Sequence, residues 1–189
     1  QDYMKKANLL LRPILAIDVM KIKYWERKFW NKADKLITMS EDDKQFIEHV
    51  LHRKLNISVV ANGVDLDFFS KTKKSLPKDP TVLFVGTFKW LPNIEAVDEI
   101  INKIWPKIIK ALPTAKLKIV GFSPTSKIKS YAQDASIEVL GGIDDIRDAF
   151  AAAHVLLAPI RSGKGTRYKG LAAMVTGTPV VATNLAVEG

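Results

Sequence analysis

Pro159-Ile-Arg-Ser-Gly-Lys-Gly-Thr-Arg-Tyr-Lys-Gly-Leu-Ala-Ala-Met-Val-Thr-Gly-Thr-Pro-Val-Val-Ala-Thr183 reads as a loop, a helix and a buried strand in unbroken succession, and that order decides the fold. Gly163 and Gly165 let the backbone come close to a ligand, and Thr166 is placed to cap the helix. Arg167 and Lys169 add two cations beside the positive N-terminal end of that helix, so the loop is a candidate anion-binding site. Gly177 stops the helix, and Thr178-Pro179 turns the chain into Val180-Val181.

Working outward, Thr81-Val-Leu-Phe-Val-Gly86, Leu117-Lys-Ile-Val-Gly121, Ile137-Glu-Val-Leu-Gly141 and Val155-Leu-Leu-Ala158 are further short apolar runs separated by helical stretches. This alternation predicts an α/β fold, a parallel sheet flanked by helices in the Rossmann manner. The clearest helix carries Ile94, Val97, Ile101, Ile104 and Ile108 at spacings of three and four, with Pro106 expected to break it into two pieces. Ligands of open parallel sheets lie beyond the carboxyl ends of the strands, so Gly86, Gly121 and Gly141 ring the expected site.

Before Pro80 the text changes. Ile17, Met20, Tyr24 and Phe29 among basic residues predict an amphipathic helix over 16–33, followed by the apolar run Leu36-Ile-Thr-Met39. Ser40-Glu-Asp-Asp43 is a capping signal for a helix reaching about His52, and Ile57-Ser-Val-Val60 leads into an Asn62-Gly63 turn. Residues 1–70 thus read as part of one α/β domain, the Lys-, Ser- and Pro-rich 71–80 as a linker, and 81–189 as a second domain.

Composition narrows the function. The chain has 189 residues, of which 47% are hydrophobic, enough for a packed core, and no apolar run approaches the length of a membrane span. It has no cysteine, which removes thiolate metal sites and cysteine nucleophiles and fits a cytoplasmic setting. His49 and His52 stand three residues apart with no carboxylate pattern beside them, so no metal site is expected. The net charge of +9 favours anionic partners. Nucleic acid is not among those expected, because the basic residues are not interleaved with a stacking platform.

Four segments carry a family resemblance. Asp34-Lys-Leu-Ile-Thr-Met-Ser40, Val60-Ala-Asn-Gly-Val-Asp65, Val85-Gly-Thr-Phe-Lys-Trp-Leu-Pro-Asn93, and Gly165-Thr-Arg-Tyr-Lys169 through Gly177-Thr-Pro-Val-Val181 to Glu188-Gly189 stand in the order found in glycosyltransferase group 1 proteins. Over about residues 30–189 the chain resembles this family, glycosyltransferase family 4, whose GT-B architecture comprises two Rossmann-like domains. The resemblance implies a truncated donor domain at 81–189 and a partial acceptor-side domain before it, a fragment expected to be inactive alone. It further implies retaining, metal-independent transfer of a sugar from a nucleotide-diphosphate sugar to a carbohydrate or lipid-linked acceptor, with no cofactor.

By the same resemblance, Lys164, Gly165, Thr166, Arg167 and Lys169 bind the donor diphosphate, while Gly86, Thr87, Lys89, Gly142, Ile143 and Glu188 face the sugar and nucleotide. No catalytic residue is assigned, and Asp144 and Asp145 read as helix-start residues. Trp25 and Trp30 among basic residues add peripheral contact with a membrane surface as a lesser expectation.

The sequence departs from the family at two glutamates, replaced here by Lys164 and Ala172. A hydrogen bond to a charged group contributes about 1.5 to 3 kcal/mol, so the loss at Ala172 implies donor binding weakened about tenfold to a hundredfold. Two alternatives stay open: a nucleotide- or phosphate-binding module without catalysis, and a sugar-nucleotide epimerase of the same architecture.

Overall fold

The computed structural model of the chain describes residues 9–163 and 168–188, which divide into two compact units, the first ending at Asn62 and the second spanning Gly63–Glu188. Lys164, Gly165, Thr166 and Arg167 lie outside the described residues.

In the first unit a 3-10 turn, Leu9–Leu11, leads into α1, Arg12–Lys32, whose Pro13 occupies the first turn, where its missing N–H costs nothing. The helix is longer than the sequence pattern suggested, and its inward face is a different one. Ile17, Met20, Tyr24 and Phe29 are exposed, whereas Leu15, Ala16, Val19 and Trp30 are half-buried. Both stripes have helical spacing because α1 is apolar on more than one side, so periodicity alone could not choose between them. Trp30 meets Phe46 edge to face, with centroids 6.5 Å apart.

Strand β1, Leu36–Thr38, pairs in parallel with β2, Ile57–Val59, and α2, Glu41–Leu51, connects them. Ser40 caps α2 as its sequence foretold, its Oγ accepting from Asp43 N at 3.1 Å. His52, at φ 52°, closes the helix in the left-handed conformation.

The second unit begins with α3, Leu66–Ser70, capped by Asp65. Phe69 packs edge to face on Phe150, and the Arg147 guanidinium lies 3.9 Å from the Phe68 ring centroid while donating to the Phe68 carbonyl. Within 71–80, read from composition as a linker, the Lys74 ammonium donates to Phe150 O at 2.9 Å, Ala153 O at 3.0 Å and Thr178 Oγ1 at 2.6 Å. These contacts make residues 63–80 part of the same compact unit as the sheet that follows.

That sheet has five parallel strands: β3, Thr81–Val85; β4, Lys116–Val120; β5, Ile137–Leu140; β6, Val155–Ala158; and β7, Val180–Ala182. Their order is β5-β4-β3-β6-β7, so the direction of winding reverses between β3 and β6. Alternate side chains divide between two cores, as a sheet covered on both faces requires. Val82, Phe84, Leu117, Ile119 and Leu157 enter one cluster, and Leu83, Val120 and Leu156 the other. Burying each such side chain contributes about 1.5–3 kcal/mol.

The helix after β3 is not broken at Pro106. Between α4, Leu91–Glu99, and α5, Trp105–Ala111, residues 100–104 form a π-helical turn in which Trp105 N donates to Ile100 O. A proline in a regular α-helix clashes with the carbonyl four residues earlier, and the wider turn just before Pro106 absorbs that clash. The other helices are α6, Ser126–Ser130, after β4; α7, Ile146–Ala151, after β5; and α8, Tyr168–Val175, after β6. Gly177, at φ 65°, ends the α8 segment in the left-handed conformation that only glycine adopts freely.

Candidate functional site

The carboxyl ends of β3, β4, β5 and β6 bring together most of the described residues singled out in the sequence. Backbones approach closely here. A Cβ on Gly121, at φ 157°, would stand 1.7 Å from Gly86 O, and one on Gly86 would stand 2.7 Å from Asn93 Cγ. Gly121 therefore excludes a side chain, one on Gly86 would have to displace the Asn93 amide, and Gly86 N donates to Val120 O at 3.0 Å to lock the two strand ends together.

Asn93, in the first turn of α4, organises the reversal point. Its Nδ2 donates to Thr87 O at 2.8 Å, and its Oδ1 accepts from Lys169 Nζ at 3.1 Å. The Lys169 ammonium also lies 4.6 Å from the centroid of the fully buried Phe84 ring. One amide thus ties the loop after β3 to the first turn of α8, and holds a cation where the strand order reverses.

The loop after β6 is pinned from the same helix. Arg161 makes two hydrogen bonds to the Glu99 carboxylate, at 2.6 and 2.7 Å, and Ser162 Oγ donates to Glu95 Oε2 at 3.0 Å. The Arg161 guanidinium holds the Glu99 carboxyl below its ordinary value. Arg161 is thereby matched to a carboxylate, and its charge serves the loop's position.

The remaining expected residues distribute along the same edge. Thr87 is half-buried and accepts from Trp90 N as well as Asn93, while Lys89 is exposed. Gly142 is exposed after β5, and Ile143 packs against the second core cluster. Asp145 caps α7 by accepting from Arg147 N at 2.9 Å, and Arg147 holds its carboxyl low, a role in the fold. Glu188 is exposed beyond the 3-10 turn Asn184–Val187.

Ala172, where the family resemblance places a glutamate, is 6% exposed and belongs to the cluster of Leu83, Val120, Phe150 and Ala173. Its carbonyl accepts from Thr176 Oγ1 at 2.9 Å. The position is a packing position in this chain.

Asn93, Arg161, Glu95, Glu99 and Phe122 were not singled out as functional from the sequence. The partners of Asn93 and Arg161 stand 62 to 76 residues away, and no local pattern announces such pairs. Among the described residues, no group of His, Asp or Glu could hold a metal ion, and no helix is long and apolar enough to cross a membrane.

Comparison with known proteins gives the arrangement a context. Residues 79–189 match the family model described as glycosyl transferases group 1. Among solved structures, the chain is similar to S. aureus TarM in complex with Fondaparinux, alpha-GlcNAc-glycerol and UDP, at 16% identity and a TM-score of 0.66, over 87% of this chain and 33% of that one. Anabaena HepE in complex with UDP and glucose gives 17% identity and a TM-score of 0.59, over 79% of this chain and 44% of that one. WaaG, a glycosyltransferase involved in lipopolysaccharide biosynthesis, gives 16% identity and a TM-score of 0.61, over 80% and 44%. The chain therefore spans between a third and a half of the length of these structures, and at such identities the likeness is one of fold. No curated protein sequence gives a significant match.

Proposed function

Because the chain belongs to the group 1 glycosyl transferases, we propose that it supplies the nucleotide-sugar site of an enzyme moving a sugar from a nucleoside-diphosphate donor to a carbohydrate or lipid-linked hydroxyl. One observation carries the reading: the Lys169 ammonium, held by Asn93 at 3.1 Å, stands at the reversal of strand order, where open parallel sheets receive their ligands. UDP in the TarM and HepE complexes supports a nucleoside diphosphate as the ligand type.

The chemistry asked of the site is charge neutralisation. As the bond from anomeric carbon to phosphate oxygen breaks, negative charge grows on the departing diphosphate, and cations fixed in advance stabilise it without reorganising. Lys169 is one such cation, and Arg167 is assigned as the second from its sequence motif. In this proposal the side-chain cations do the work without a metal, and the family resemblance is the ground for retention at the anomeric carbon. The assignment also places Gly86, Thr87 and Lys89 beside the sugar and phosphates, Gly142 and Ile143 toward the base, and Glu188 at the far end of the donor site.

Titration calorimetry of the chain with UDP, GDP and ADP tests the reading. At least one nucleoside diphosphate binds, and Arg167→Ala weakens it at least tenfold. Absence of binding by all three refutes the site, and equal affinities remove Arg167 from it.

The burial of Ala172 favours a second reading, a nucleotide-binding module without turnover. Binding of UDP with no transfer or hydrolysis of a UDP-sugar selects it over the enzyme.

For location, we propose the cytoplasmic side of a membrane with peripheral contact through α1. That helix exposes Ile14, Met20, Trp25 and Phe29, and Lys28 Nζ lies 4.5 Å from the Trp25 ring centroid. Co-sedimentation with anionic vesicles, lost in Trp25→Ser/Phe29→Ser, is the expected result; no sedimentation of the parent chain refutes the contact.

A further inference from the structure

Phe122 is an exposed aromatic ring with a built seat. It follows Gly121 at the carboxyl end of β4 and is 66% exposed, and the backbone that carries it is held in place. Its carbonyl accepts from Phe88 N at 2.9 Å, and the next residue, Ser123, takes the left-handed φ of 56° that a serine adopts only when its surroundings impose it. Beneath the ring lies Gly142. A Cβ there would stand 2.2 Å from Phe122 Cε1 and 2.4 Å from Cδ1, so the ring rests on bare backbone at the end of β5. The absence of a side chain at Gly142 makes the seat, and one edge of the ring is covered while the rest faces solvent.

Resting on the nucleotide-donor reading above, we propose that Phe122 is the stacking platform for the base of the bound nucleotide. The placement supports this. Neighbouring strands stand about 4.8 Å apart, so the ends of β4 and β5 lie about 5 and 10 Å from that of β3 along the edge. A diphosphate held at the β3–β6 reversal would carry its nucleoside across this span in the direction of β4 and β5. A phenylalanine on a held backbone has only two side-chain torsions to lose on stacking, and its flat face takes any base. Stacking gives no choice among bases by hydrogen bonding, so Phe122 contributes affinity for the nucleoside and leaves base preference to other groups.

The test compares UDP with inorganic pyrophosphate on the same chain by calorimetry. In the parent, UDP binds more tightly than pyrophosphate. Phe122→Leu loses about tenfold or more in UDP affinity and stays within about twofold for pyrophosphate, while Phe122→Trp keeps UDP affinity. Gly142→Ala, which drives a methyl into the ring, weakens UDP in the Phe122 background and adds little once Phe122 is leucine, because both changes remove one platform. Equal UDP affinity for Phe122→Leu and the parent overturns the platform and leaves the nucleotide site standing. An equal loss of UDP and pyrophosphate also overturns it, since the ring would then matter only to the fold. A parent that binds neither UDP nor pyrophosphate removes the donor reading, and the platform with it.

Discussion

Ala172→Glu would restore the carboxylate that the family resemblance leads one to expect, and the structure predicts that the protein will resist it. Ala172 is 6% exposed, with Leu83, Val120, Phe150 and Ala173 in its cluster. A glutamate must fit a longer chain where a methyl group now sits, and overpacking of this kind costs about 1–3 kcal/mol. It must also desolvate a carboxylate. The group escapes part of that cost by taking up a proton, at about 1.4 kcal/mol for each unit its pKa has to rise to reach neutrality. Lys169, three residues earlier, is already engaged with Asn93 and the Phe84 ring, so compensation along the helix is worth at most about 0.5 kcal/mol. The net expectation is a loss of about 4–6 kcal/mol at neutral pH, which lowers the melting temperature by about 15–20 °C for a unit of this size. The sign with pH is fixed by the same argument. A carboxyl whose folded value is raised destabilises above its unfolded value and ceases to do so below it, so the gap from the parent narrows as the pH falls to about 4. Thermal melts followed by circular dichroism at both pH values measure this, and nucleotide affinity should not tighten. A variant melting within about 2 °C of the parent at neutral pH would refute the reasoning, since Ala172 would then border a solvent-filled space.

Other perturbations probe the framework around the site. Gly121→Ala places a methyl on top of the Gly86 carbonyl, 1.7 Å away, and should cost about 2–4 kcal/mol, read as a lower urea midpoint. Lys74→Met removes three hydrogen bonds and should cost about 1–2 kcal/mol with an unchanged denaturant slope. Glu99→Gln breaks the pair with Arg161, whose side chain is 67% exposed, so the effect at neutral pH should stay under about 1 kcal/mol. Arg161 holds the Glu99 carboxyl below its ordinary 4.5, so the pair stabilises above that value and loses its contribution as the pH drops through the lower folded value. The melting curves of Glu99→Gln and the parent should therefore converge in acid.

The sheet was legible because its strands are short apolar runs, three of them followed by glycine, and at Gly121 that glycine is where two backbones touch. The α8 segment was legible for the same reason: Gly177 ends it and Pro179 turns the chain. α1 was only partly so, because a helix apolar on several sides gives two equally good stripes, and the longer visible one proved to be exposed. The π-helical turn before Pro106 was out of reach, since a proline signals a defect in the helix but not whether the helix breaks or widens. The site divides along similar lines. Lys169 and Gly86 could be named from local chemistry and Gly142 from the family resemblance, whereas Asn93, Arg161 and Phe122 owe their significance to partners brought near only by the folded sheet. Ala172 could be read from sequence as a lost carboxylate, but only packing identifies it as part of the core.

Amide chemical-shift mapping of the isotope-labelled chain during titration with UDP tests the central claim most directly. The account predicts that saturable shifts concentrate at the carboxyl edge of the sheet, at Gly86, Thr87, Phe122, Gly142 and Lys169. Shifts confined to the opposite edge, around Ala115 and Ser136, or to residues 12–32, would contradict it.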